Sequence, residues 1–234
     1  MNLIEENLIA LKKSITSYEQ RYHRESGSVH LLAVSKGQAI EKIMAAIQAG
    51  QLAFGENYLQ EALAKMSAIN NPSIEWHFIG PVQSNKTRKI AAHFAWLHSL
   101  ADKKIAIRLN DQRPAHLPPL NICIEVNVSA EKSKSGVNMA EVKPLMEFCA
   151  KLPHLKLRGL MTIPAMHDNF EDQRQEFHKL FVLSRSLCEQ GFALDTLSMG
   201  MSDDFEAAIA EGSTIVRIGT ALFGAREKKP LQGL

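Results

Sequence analysis

After Gly27 the chain repeats one unit eight times: a short apolar run of strand length, then a segment whose apolar residues recur at helical spacing. Strands that alternate with helices in this way lie parallel and need cover on both faces, which confines the chain to a closed barrel or a doubly wound open sheet. The count of eight points to a single (β/α)8 TIM-type barrel, and periodicity alone leaves the open sheet standing as the alternative. The strands are expected at 30–35, 52–55, 74–79, 94–98, 121–128, 156–161, 196–199 and 214–218. Before them, Ile4, Leu8, Leu11, Ile15, Tyr18 and Tyr22 mark an extra N-terminal helix over about 2–24. The barrel is expected over about 30–226 of one domain covering 1–234, a length at which α/β barrels fold as a unit. Ser84 is the expected cap of the helix after the third strand. Pro144 places the start of the helix after the fifth strand near Lys143, where proline is tolerated in the first turn.

Composition narrows the function. With 27 basic and 25 acidic residues mixed along the chain and a formal net charge of +2, there is no basic stripe for nucleic acid. No run approaches the roughly 20 apolar residues of a membrane span, and the amphipathic start, with Glu5 and Glu6, is unlike a secretory leader. Cys123, Cys149 and Cys188 are odd in number and far apart, which suggests neither disulfides nor zinc and reads as three small buried hydrophobes. The nine histidines form no HExxH, so no metal site is expected, and neither GxGxxG nor GxxxxGK occurs. These features together suit a cytoplasmic protein whose partner is a small molecule.

In barrels of this kind the site lies at the C-terminal ends of the strands, with phosphate held by the loops after strands seven and eight. Lys36 follows the apolar Leu31-Leu32-Ala33-Val34 run directly, so its amine would be partly desolvated and fit for attack on a carbonyl. A lysine whose stem packs and whose head reaches water is the competing reading. Arg217, Gly219 and Thr220 arrive at the same rim before a helix start, where backbone N–H groups, a glycine and a hydroxyl favour a phosphate, although a turn glycine and a helix cap would look the same. Ser202, in the loop 198–204, is a second donor or a cap. Asp203 and Asp204 are expected to be structural, since acidic residues are favoured in a first helical turn anyway.

Specific phrases go further. Ala33-Val34-Ser35-Lys36, Phe54-Gly55-Glu56-Asn57-Tyr58, Trp76-His77-Phe78-Ile79-Gly80, Gln83-Ser84-Asn85-Lys86 and Ser133-Lys134-Ser135-Gly136 occur in order. They are followed by Arg158-Gly159-Leu160-Met161, Gly200-Met201-Ser202-Asp203-Asp204, Arg217-Ile218-Gly219-Thr220 and Phe223-Gly224-Ala225-Arg226. From Leu31 to Arg226 the chain resembles the YggS/PROSC family of pyridoxal phosphate homeostasis proteins, whose barrel is that of the alanine racemase N-terminal domain. The resemblance implies pyridoxal 5'-phosphate held as a Schiff base (an internal aldimine) on Lys36. It also implies Asn57 near the ring, Arg217 facing the pyridine nitrogen, and Ser202, Gly219 and Thr220 on the phosphate. Two departures are visible: Gly37 stands where a threonine is expected and should loosen the loop after Lys36, and Pro144 intrudes early in a helix.

The implied role is intracellular vitamin B6 homeostasis without robust turnover, by a monomer, with pyridoxal-phosphate-dependent apo-enzymes as candidate recipients. An arginine at the ring nitrogen can only donate, so it keeps that nitrogen unprotonated and weakens the cofactor as an electron sink. An amino-acid racemase is the rival. It needs acid and base groups on both faces of the α-carbon; the chain has only Tyr18, Tyr22 and Tyr58, and little sequence after the last barrel helix for a second domain. A third reading is a sensor whose partner binding depends on occupancy, and Lys134 is a candidate second amine.

Overall fold

The computed structural model describes residues 2–129, 131 and 134–225, so Ser133 and Arg226, both part of the phrases above, lie outside the described residues. Helix α1 (Leu3–Arg21) comes first, and then β1 (His30–Val34), α2 (Ile40–Gln48), β2 (Ala53–Glu56), α3 (Leu59–Ile69), β3 (Glu75–Phe78) and α4 (Thr87–His93). Next come β4 (Trp96–Leu100), α5 (Lys103–Gln112), β5 (Leu120–Glu125), α6 (Met139–Cys149), β6 (Leu155–Met161) and α7 (Phe170–Glu189). The described chain ends with β7 (Thr196–Ser198), α8 (Phe205–Ala210), β8 (Ile215–Ile218) and α9 (Thr220–Phe223). The strands form a closed parallel barrel in sequence order, which removes the open-sheet alternative. The ring is sealed where β1 pairs with β8, in the register His30↔Ile215, Leu31↔Val216, Leu32↔Arg217 and Ala33↔Ile218.

Alternation along the strands sorts the core. On β1, Leu31 and Ala33 join the main layer between barrel and helices, whereas Leu32 and Val34 meet Ile79 and Ile215 in a separate inner cluster. A second inner cluster holds Trp96, Cys123 and Met161. Gly159 is required on β6: a Cβ there would sit 1.7 Å from the carbonyl oxygen of Thr196, so only glycine lets β6 and β7 pair.

Helix α1 is N-capped by Asn2, whose side chain accepts from the Ile4 N–H at 3.2 Å, and buries Ile4, Leu8, Leu11 and Ile15. It packs against α2, α8 and α9. Its buried Glu19 accepts from the backbone N–H groups of Gly27 at 3.0 Å and Val29 at 2.8 Å, which fixes the chain's entry into β1. Among the described residues no helix is long and apolar enough to cross a membrane.

Three local expectations are corrected. Ser84 is not the cap of α4; the N-cap is Lys86, and Ser84 contributes its carbonyl oxygen, which accepts from the Thr87 hydroxyl at 2.9 Å. Helix α6 begins at Met139 rather than near Lys143, because Glu141 reaches back to accept from the Asn138 N–H at 3.0 Å, leaving Pro144 inside the helix. Cys188 is only half-buried, with its thiol near the Leu194 carbonyl at 3.9 Å, while Cys123 and Cys149 are buried.

Candidate functional site

The first strand ends at Val34 and hands its direction to a tight turn at Ser35, Lys36 and Gly37. Lys36 keeps the parity of the inward-facing Leu32 and Val34 and is half-buried. Gly37 has φ +69°, a left-handed conformation natural to glycine, and its N–H donates to Glu61 Oε1 at 2.6 Å. The turn is pinned further from below. Buried Lys65 donates to the Ser35 carbonyl at 2.6 Å, to Glu56 Oε1 at 2.7 Å and to Glu61 Oε1 at 2.6 Å, and the Ser35 hydroxyl donates to Glu56 at 2.6 Å. The glycine therefore does not loosen the loop. Burial drives the Glu56 carboxyl above the usual carboxylate range despite the opposing pull of Lys65 and the Ser35 hydroxyl.

Arg217, on β8, is buried inside the barrel, where Nη1 donates to Ser198 Oγ at 2.8 Å and Nη2 to the Thr162 carbonyl at 2.9 Å. Burial brings the guanidinium down to about 10, against the support of Asp204 and Glu125, so it stays protonated at neutral pH. Both carboxyls are themselves raised by burial. Asp204 accepts from the Met201 N–H at 2.5 Å and so closes the loop before α8, a structural part, while Asp203 is exposed.

One residue past β8, Gly219 packs on β1: a Cβ there would lie 3.3 Å from the Val34 carbonyl oxygen. Thr220 is exposed at the start of α9, and the Ser202 hydroxyl accepts from the Ala221 N–H at 3.3 Å, which ties the loop after β7 to the helix start after β8. Asn57, just beyond β2, is half-buried, and its Oδ1 is buried without a hydrogen-bond partner among the described residues. Lys36, Asn57, Ser202, Gly219 and Thr220 all lie just past the C-terminal ends of their strands, on one mouth of the barrel, with Arg217 beneath them. Lys134 lies in the loop between β5 and α6 with its amine 3.6 Å from Glu131. Sequence reasoning missed Glu56, Glu61 and Lys65 under the turn, and Ser198 beside Arg217. Glu56 and Ser198 stood in quoted or inspected segments; the available signal was a polar side chain within a strand, facing the barrel interior at Ser198 and, with the parity of Phe54, the helix layer at Glu56.

The family model described as alanine racemase, N-terminal domain, matches residues 7–227. A Vibrio alginolyticus protein named pyridoxal phosphate homeostasis protein is 54% identical over 97% of this chain and 99% of its own length. The chain belongs to the pyridoxal phosphate homeostasis protein family. Its Escherichia coli K12 namesake is 49% identical over 97% of this chain and 98% of its own. Among solved structures, PipY of Synechococcus elongatus with PLP bound superposes with a TM-score of 0.82 at 33% identity, covering 94% of this chain and all of PipY. Alanine racemase of Corynebacterium glutamicum shares the fold alone, at 18% identity and a TM-score of 0.72, with 63% of its length covered.

Proposed function

We propose that this chain is a pyridoxal 5'-phosphate-binding homeostasis protein that holds the cofactor covalently through the Lys36 amine and does not turn over substrate robustly. The observation that carries this reading is the convergence on one mouth of an amine after β1, a buried cation on β8 and a Ser202–Gly219–Thr220 turn, in a chain akin to PipY. The residues fit the group. The buried Oδ1 of Asn57, unpartnered among the described residues, is a polar atom that needs a partner, and the backbone at Gly219 can approach a phosphate closely.

When bound, pyridoxal phosphate supplies an electron sink for amines attached at its aldehyde carbon. The chain's own residues restrain that chemistry. Arg217 donates toward the ring nitrogen and has no proton to give up at neutral pH, so the nitrogen is held in its unprotonated, weakly withdrawing form. Ser202, Gly219 and Thr220 anchor the phosphate, and the Lys65, Glu56 and Glu61 cluster holds the backbone that aims Lys36. Tyr58 is 59% exposed, and Tyr18 and Tyr22 of α1 are engaged with Phe205 and Glu206, which supports storage or delivery over racemisation. The setting proposed is a monomer in the cytoplasm that passes cofactor to apo-enzymes.

The visible spectrum of the purified protein tests this. The wild type is expected to be yellow, to be fixed by borohydride at Lys36, and to lose the band in Lys36→Ala. A wild type that stays colourless after incubation with pyridoxal phosphate overturns the assignment.

A further inference from the structure

Glu75, the first residue of β3, is half exposed at the mouth opposite Lys36, where a cavity of about 950 Å³ is lined by Glu75, His77, Trp96, Arg158, Asp195 and Ile215. From Glu75 an unbroken row of contacts crosses the barrel interior. His77 Nε2 lies 2.9 Å from Glu75 Oε1, His77 Nδ1 2.9 Å from His98 Nε2, and His98 Nδ1 2.8 Å from Ser198 Oγ. Arg217 Nη1 lies 2.8 Å from the same hydroxyl oxygen. His98 and Ser198 are fully buried, and His77 is stacked on Trp96 at 5.4 Å between ring centroids, so each member is held in place by packing as well.

The two ends of this row fix the direction of every bond in it. The Glu75 carboxylate can only accept, so His77 carries its proton on Nε2 and accepts at Nδ1, which requires His98 to donate from Nε2. His98 then accepts at Nδ1 from the Ser198 hydroxyl, whose oxygen accepts from Arg217, a group that can only donate. Both histidines are held neutral by burial, His98 with further opposition from His77 and Arg217. The assignment leaves no conflict along the row, and each bond polarises the next.

We propose that Ser198, His98, His77 and Glu75 are positioning residues for Arg217, a one-way hydrogen-bond chain that reaches from the far mouth of the barrel and sets the guanidinium toward the cofactor. The inference rests on the reading of the Lys36 mouth as a pyridoxal phosphate site. Its distinctive consequence is action at a distance. Replacing Glu75 with an apolar residue touches nothing at the Lys36 mouth, yet it removes the acceptor that fixes the tautomer of His77. The chain can then reverse, leaving the Ser198 hydroxyl proton without an acceptor.

The test compares holo-protein absorption spectra and pyridoxal phosphate dissociation constants for the wild type, Ser198→Ala, His98→Leu, Glu75→Leu and Glu75→Gln. Ser198→Ala and His98→Leu are expected to shift the visible band and weaken binding about tenfold, the scale of one lost hydrogen bond to a charged group. Glu75→Leu should shift the band in the same direction with a loss of affinity of about twofold to threefold, and Glu75→Gln, which can still accept, should match the wild type. Should His98→Leu fail to fold, the single-oxygen change at Ser198 and the surface change at Glu75 carry the test. Wild-type spectra and affinities in Ser198→Ala and Glu75→Leu overturn the proposal, as does an effect of Ser198→Ala with none of Glu75→Leu, which would reduce the row to a local contact. A colourless wild type overturns the site reading itself and is told apart by needing no variant.

Discussion

Lys65 illustrates how a residue far from any expected role can decide whether a site holds its shape. Its ammonium is buried between Glu56 and Glu61 and also supports the Ser35 carbonyl, so it neutralises a carboxylate taken out of water and braces the Lys36 turn at once. Lys65→Met leaves Glu56 buried without its partner and is expected to cost about 3–5 kcal/mol in chemical denaturation. A loss below about 1 kcal/mol would mean that the cluster is solvated and does not brace the turn. The rim positions of Lys36, Gly219 and Thr220 could be read from the chain because they come just after apolar strands, with Arg217 inside the eighth. Lys65 could not, since a lysine on an amphipathic helix is ordinarily a solvent-facing residue and only the packed barrel reveals the acid beneath it.

Helices and strands were legible to the degree that one local rule dominated. Strand positions followed from apolar runs, and ends shifted by up to three residues: β5 stops at Glu125 short of the expected 128, whereas β4 runs on to Leu100, which pairs with Ile124 beyond the expected limit. Helix α6 was misjudged because the proline rule was weighed and the capping signal Asn138–Glu141 was not; the capped start held, and the proline was absorbed. Pro144 deprives the Ala140 carbonyl of its helical donor, so Pro144→Ala should stabilise the protein by about 1–3 kcal/mol, less a few tenths for the freer unfolded chain. Thermal unfolding of the variant measures this; a lower melting temperature would show that the proline is needed for the shape of α6.

On the scale of the molecule, α1 is the part that the barrel count alone does not require. It buries Ile4, Leu8, Leu11 and Ile15 against the barrel's outer helices, and four such side chains at about 1.5–3 kcal/mol each amount to about 6–12 kcal/mol, comparable with the whole stability of a domain, about 5–15 kcal/mol. Deletion of residues 2–21 is therefore expected to abolish the cooperative unfolding transition seen by circular dichroism; a truncated chain that melts like the full one would show that α1 is an appendage. The register of the seal between β1 and β8 has a temporal meaning. Lys36 follows one of these strands and Gly219 and Thr220 follow the other, so the mouth that gathers them exists only once the first strand of the chain has found the last. Pairings between such distant stretches form late. On the proposed function, a ribosome-bound or half-folded chain has the lysine but not the Ser202–Gly219–Thr220 turn, and the appearance of colour during refolding would be a clock for the closing of the ring.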